Sequence, residues 1–189
     1  MSVGILVLAA GRSTRFGADK RLAKLPDGRR VIDTLLDNVR ATGLEFTVCL
    51  GVNDHHIADQ LRKENVHCIR CSRADEGMGG TLAEASGHIP DWDGVIVALA
   101  DMPWIAPDTY LEVATRLSTE GICVPVREGR RGHPVGFGSD FYLELRSLGG
   151  DMGARHLLKK YAQQVLELPV NEEAIHRDID FPSDLTLPP

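Results

Sequence analysis

Continuous apolar runs of strand length recur along the chain, at residues 4–9, 46–51, 66–71, 95–100 and 122–126. None alternates cleanly between apolar and polar positions, the pattern of strands covered on both faces, as in a parallel sheet. Between these runs the apolar positions fall at helical spacing. Val31, Ile32, Leu35, Leu36 and Val39 share one face, and Asn53 is placed to cap a helix carrying Ile57 and Leu61. Pro107 stands where a first-turn proline belongs, ahead of Leu111, Val113, Ala114 and Leu117. Ser139 precedes Phe141, Leu143 and Leu145, and residues 154–161 make a last helical segment. Residues 134–138, held between turn-rich stretches, read as a strand of different direction. This alternation implies βαβ crossovers: an α/β protein with a doubly wound, mostly parallel sheet and helices on both faces. No repeat, linker or low-complexity tract divides the chain, so a single domain over 1–189 is expected. In such sheets ligands bind beyond the carboxyl ends of the strands.

Composition narrows the partners. The 189 residues are 43 % hydrophobic and 25 % charged, and the formal net charge of −6 disfavours nucleic acid or an anionic membrane surface. That average hides a basic island. Residues 12–30 carry +5, from Arg12, Arg15, Lys20, Arg21, Lys24, Arg29 and Arg30 against Asp19 and Asp27, so the remainder carries −11. A local anion site or a solvated basic loop would each leave that mark. The four cysteines, with a lone C-x-x-C at Cys68 and Cys71, form neither a disulfide framework nor a complete zinc set. Reduced thiols on or beside a buried strand are expected, and with them the cytoplasm. The apolar stretch 3–10 lacks a positive leader and is too short to span a membrane.

The loops after the strands carry the candidate chemistry. Ala9-Ala10-Gly11-Arg12-Ser13-Thr14-Arg15-Phe16-Gly17-Ala18-Asp19-Lys20 offers small residues, backbone N–H groups and three cations to a polyphosphate. It fits neither the P-loop nor the dinucleotide fingerprint. Asp101 ends an apolar strand and is followed by Pro103, a position suited to Mg²⁺ held by one or two carboxylates plus phosphate oxygens, or to a simple turn cap. Asp178 and Asp180 fall on one side of an extended segment. The run Glu76-Gly77-Met78-Gly79-Gly80-Thr81 is suited to packing against a nucleoside, and His133 lies in a second basic patch with Arg127, Arg130 and Arg131. Asp151 is placed to cap a helix from which Arg155 faces the cleft.

Together these motifs resemble the nucleotidyltransferases that act on molybdopterin. The resemblance runs through Leu8-Ala-Ala-Gly-Arg-Ser to Lys20, Gly77-Met78 with Thr81-Leu82, Leu99-Ala-Asp-Met-Pro103, Gly132-His-Pro-Val135, Gly150-Asp-x-Gly-Ala-Arg155 and Asp178-Ile-Asp180 with Asp184-Leu185. Leu-Ala-Ala-Gly and the last three motifs are similar to the cytidylyltransferase branch; the guanylyl branch reads Leu-Ala-Gly-Gly, from which Ala10 departs. The resemblance implies a Rossmann-like sheet and Mg²⁺-dependent transfer of CMP from CTP to molybdopterin, with release of pyrophosphate. GTP as donor, or another phosphorylated acceptor, is the alternative. It further implies Lys20 and Arg15 at the phosphates, Asp101 with Asp180 or Asp178 at the metal, and Ala9, Ala10, Gly11, Arg12, Gly80 and Thr81 around the nucleotide. His133, Arg131 and Arg155 would face the acceptor, and a molybdoenzyme or its maturation factor would receive the product. Gly79 and Gly80 stand where the family more often has serine, and Phe181 where threonine is usual.

Overall fold

The sheet is built around a strand whose centre no solvent reaches. In the computed structural model, which describes every residue except Arg12, Thr14, Met152 and 187–189, β1 (Val3–Leu8) carries Ile5, Leu6 and Val7 fully buried. It pairs in parallel with β2 (Phe46–Gly51) on one side and β4 (Gly94–Leu99) on the other, Leu6 standing opposite Thr47 and Val97. Beyond β2 lies β3 (Cys68–Cys71), also parallel. Beyond β4 the direction reverses: β7 (Val135–Gly138) is antiparallel to β4 and to β5 (Ile122–Arg127), as expected of residues 134–138. The short β6 (Arg130–Arg131) and the parallel β8 (Val165–Pro169) both join β5, giving the order β3-β2-β1-β4-β7-β5-β6 with β8 on β5.

The alternation of side chains along β1 splits the core in two. Ile5 and Val7 pack with α1 (Val31–Ala41), α2 (His55–Lys63) and α4 (Pro107–Arg116) through Leu35, Ile57 and Tyr110. Leu6 and Leu8 pack on the other face with α3 (Met78–Ser86), α5 (Tyr142–Arg146) and α6 (Arg155–Lys160) through Leu82, Leu145 and Leu157. The expected doubly wound α/β architecture therefore stands. Because β1 to β4 run in one direction, the loops that follow them gather along one edge of the sheet.

Several local expectations are corrected. Residues 78–86 form α3 although Gly79 and Gly80 are poor helix formers. A Cβ on Gly79 would lie 2.6 Å from the Gly149 carbonyl oxygen, so close packing, and not propensity, selects glycine. Asn53 does not cap α2; Asp54 holds the N-cap position, and its carboxylate turns back to the Gly51 N–H at 2.8 Å. Asp151 does not cap α6, whose N-cap residue is Ala154. Leu143, placed on an apolar face by its spacing, is 74 % exposed. The cysteines, by contrast, are as expected: all four are free thiols, with Cys49, Cys71 and Cys123 buried.

Candidate active site

Lys20 lies on a single 3₁₀ turn (Lys20–Leu22) whose N-cap residue, Asp19, accepts from the Arg21 N–H at 3.1 Å. The turn ends the glycine-bearing loop after β1 and aims the lysine across the strand ends. Its Nζ donates to Asp101 Oδ2 at 2.7 Å, to the Ile179 carbonyl at 2.8 Å and to Asp180 Oδ1 at 3.3 Å. Burial pulls the Lys20 pKa down, but the Asp101 and Asp180 carboxylates outweigh it and the net shift is upward, so the ammonium stays charged. Arg15 reaches the other oxygen of Asp180 at 2.7 Å. Arg15 is largely exposed, and a surface pair of this kind contributes little to stability and leaves the side chain free to move.

The carboxylates are fixed from behind. Ile179 is fully buried against Leu25 and Val31, and its N–H donates to the Asp101 carbonyl at 2.9 Å. That bond stitches the C-terminal segment to the loop after β4. Asp184 accepts from the Asp180 and Phe181 N–H groups at 2.9 and 2.7 Å, which lower its pKa and set the turn that presents Asp180. Asp178 is pushed upward by burial and by the like charges of Asp101 and Asp180.

Three cavities meet here. One of about 280 Å³ is lined by Ala10, Gly11, Gly77, Thr81, Asp101 and Asp151, and its neighbour of about 510 Å³ by Ala10, Gly11, Ser13, Asn53, Cys71 and Asp75. On the far side of Asp101 a cavity of about 740 Å³ is bounded by Arg130, Arg131, His133, Arg155, Asp178 and Asp180, over an apolar floor that includes Val97, Val124 and Phe137. Burial depresses the His133 pKa, and Arg155 adds to that against the opposing pull of Asp101. Its Nδ1 is shut off from solvent and has no partner among the described residues.

The expected site residues thus fall into place unevenly. Lys20, Arg15, Asp101 and Asp180 converge on one point, and Ala10, Gly11 and Thr81 line the smaller cavities. Asp178, His133, Arg131 and Arg155 line the large one, where Arg131 is already engaged by Glu167 at 2.8 Å. Ala9 and Gly80 do not line these cavities: the Ala9 carbonyl accepts from Arg21 and its N–H donates to the Cys49 carbonyl, and a Cβ on Gly80 would meet the Arg73 carbonyl at 2.4 Å. Arg12 lies outside the described residues. The basic island is also smaller than its charge count suggests, because Arg30 pairs with Asp33 and Arg21 with Asp54, both outside it. Arg21, counted in the basic island but given no role from the sequence, is a buried structural ion. Burial lowers its pKa, but the hydrogen bonds it donates to Asp54 and Asp19 reverse that and raise it.

A basic glycine-bearing loop facing a strand-end carboxylate across an open cleft offers donors to a polyphosphate and an oxygen ligand to a divalent cation. Residues 5–165 match the family model described as the MobA-like NTP transferase domain. The chain belongs to this family. It is a nucleotidyltransferase of MobA-like type, with a Rossmann-like fold. The purine catabolism protein PucB of Bacillus subtilis (strain 168) is 29 % identical over 196 residues, which cover 94 % of this chain and 91 % of that protein. The crystal structure of Rv0371c from Mycobacterium tuberculosis H37Rv superposes with a TM-score of 0.83 at 27 % identity, over 97 % of this chain and 95 % of that one. A second structure of Rv0371c is a complex with manganese, with a TM-score of 0.80 at 26 % identity, over 97 % of this chain and 96 % of that one. Molybdopterin-guanine dinucleotide biosynthesis protein A from Archaeoglobus fulgidus shares the fold, with a TM-score of 0.68 at 19 % identity over 96 % of this chain and 94 % of that one. No helix among the described residues is long and apolar enough to cross a membrane.

Proposed function

We propose that this nucleotidyltransferase moves the CMP group of CTP onto the terminal phosphate of molybdopterin and releases pyrophosphate. The observation that carries the reading is the convergence of Lys20, Asp101 and Asp180 where the nucleotide-side cavities meet the 740 Å³ cavity. An acceptor oxygen forms the new bond to the α-phosphorus as the bond to pyrophosphate breaks, so catalysis rests on alignment and charge neutralisation more than on a side-chain base. Lys20 and Arg15, released from their carboxylates, neutralise the triphosphate. Ala10, Gly11 and Thr81 hold the nucleoside. The neutral imidazole of His133, with Arg131 and Arg155, receives the acceptor phosphate, while the apolar floor of the large cavity takes the heterocycle.

Asp101 and Asp180, with Asp178 beside them, suit a hard divalent cation. They present oxygen donors, and two of them already share one positive centre, the Lys20 ammonium. Among the described residues no group of three His, Cys, Asp or Glu is placed to hold a metal ion by itself, so Asp101 and Asp180 would hold Mg²⁺ only together with substrate phosphate oxygens. When bound, the ion neutralises charge on the phosphate oxygens. Manganese in the Rv0371c complex supports a divalent ion in this role.

Ala10 supports CTP over GTP. It is buried and lines both nucleotide-side cavities, where its methyl group crowds a purine more than a pyrimidine. One methyl group discriminates by about 1–3 kcal/mol. We place the reaction in the cytoplasm, where the four thiols remain reduced, within one domain and with a molybdoenzyme or its maturation factor receiving the product. The test is pyrophosphate release with molybdopterin and Mg²⁺, comparing CTP with GTP. Preference for CTP is expected; preference for GTP overturns the branch, and release with only a different phosphorylated acceptor overturns the substrate.

A further inference from the structure

We infer that Arg21 is a positioning residue for the reaction, setting Lys20 against the phosphates without touching substrate. Its guanidinium is almost wholly buried, with a side chain 9 % exposed. A guanidinium has five N–H donors, and all five are committed inside the protein. Nε and Nη2 bind Asp19 at 2.8 and 2.7 Å, Nη1 and Nη2 bind the two oxygens of Asp54 at 2.7 Å each, and Nη1 also donates to the Ala9 carbonyl. Nothing is left to donate to a phosphate, in contrast to Lys20 and Arg15, whose partners are carboxylates at the mouth of the cleft.

The three partners belong to three separate walls. Ala9 follows β1, Asp19 ends the phosphate loop, and Asp54 belongs to the turn after β2, where it also accepts from Gly51. Gly51, Asp54, Asp19 and Arg21 all line the 510 Å³ cavity. One side chain therefore fixes the loop against both strands. Lys20 and Arg21 are neighbours on one 3₁₀ turn, where successive side chains project about 120° apart. With Arg21 anchored toward Asp54, Lys20 is directed away from it, toward Asp101 and Asp180. A misplacement of about 1 Å at a reacting group can cost about a hundredfold in rate.

The inference rests on the proposed role of Lys20 at the phosphates, and a double-mutant cycle separates the two. Arg21→Lys keeps the charge but cannot bridge three walls with one nitrogen. Turnover of folded protein is measured as single-turnover pyrophosphate release, with far-UV circular dichroism as the check on folding. Arg21→Lys is expected to lower the rate about tenfold or more in the wild-type background and less than about twofold in a Lys20→Ala background. A purely structural role would lower both backgrounds equally, and that additive result overturns the inference alone, as does a wild-type rate in Arg21→Lys. Wild-type turnover in Lys20→Ala itself would overturn the assignment of Lys20 and this inference with it. If Arg21→Lys does not fold, Asp54→Asn, which keeps Arg21 and its bonds to Asp19 and Ala9, enters the same cycle with the same deciding outcomes.

Discussion

Replacing Asp54 with asparagine removes one of the two carboxylates that hold the buried Arg21. The wild-type carboxylate is 19 % exposed and takes two charge-assisted hydrogen bonds at 2.7 Å, from Nη1 and Nη2. Such bonds to charged groups contribute about 1.5–3 kcal/mol each. Asparagine keeps one acceptor oxygen but turns an NH₂ group toward a donor, so one bond is lost and the other weakened. Arg21 retains Asp19 and Ala9, which places the loss near 2–3 kcal/mol, below the about 3–5 kcal/mol of an ion left wholly unpaired. The effect carries a pH signature. Burial raises the Asp54 pKa, but Arg21 and the Gly51 N–H outweigh that and hold it below the ordinary carboxylate value. A group depressed in the folded state stabilises fully above its unfolded pKa of about 3.9 and loses that contribution as pH falls through the folded value. Urea unfolding of wild type and Asp54→Asn at pH 7, 5 and 3.5 reads this directly. A gap of about 2–3 kcal/mol is expected at pH 7 and 5, narrowing below about pH 4. A gap under about 0.5 kcal/mol at pH 7, or one that stays constant to pH 3.5, would refute the reasoning.

Asp101→Asn is expected to lower pyrophosphate release at least about a hundredfold, since even the outer partners of metal ligands are worth about 10–100-fold. Lys20 keeps Asp180 and the Ile179 carbonyl, so the variant should stay folded, and near-normal turnover would remove Asp101 from the metal site. Chelation with EDTA should stop release and Mg²⁺ or Mn²⁺ should restore it; release that persists in EDTA would contradict a divalent requirement. Tyr110 is fully buried and its hydroxyl has no partner among the described residues. Tyr110→Phe should therefore stabilise the fold by about 1 kcal/mol, a rise of about 2–4 °C in Tm for a chain this size. A fall in Tm would show that the hydroxyl is bonded after all.

What the sequence disclosed followed burial. Residues 46–51 and 95–100 were legible as strands because both faces of the sheet are covered, which leaves unbroken apolar runs. Asp101 and Lys20 stood out in the sequence by their places at a strand end and in a glycine-bearing loop, and the fold brings the two side chains to 2.7 Å. Helix α3 was hidden by Gly79, whose choice depends on carbonyls of residues 149 and 150, distant in the chain, and by Gly80, which packs on the Arg73 carbonyl. Strand β8 was hidden because Leu166 and Glu167 are exposed and its pairing with β5 spans over forty residues. The place of Arg21 in the structure was hidden for a related reason. Within a basic window any arginine resembles an anion ligand, and only the fold brings Asp54, 33 positions away, against its guanidinium.

The central claim, nucleotidyl transfer to a pterin phosphate, is tested most directly by following labelled CTP in the presence of molybdopterin and Mg²⁺. With the label on the α-phosphorus, radioactivity should appear in the pterin product; with the label on the γ-phosphorus, it should appear only in pyrophosphate. Transfer of the γ-label to the acceptor, or hydrolysis of CTP with no label in the pterin, would contradict it.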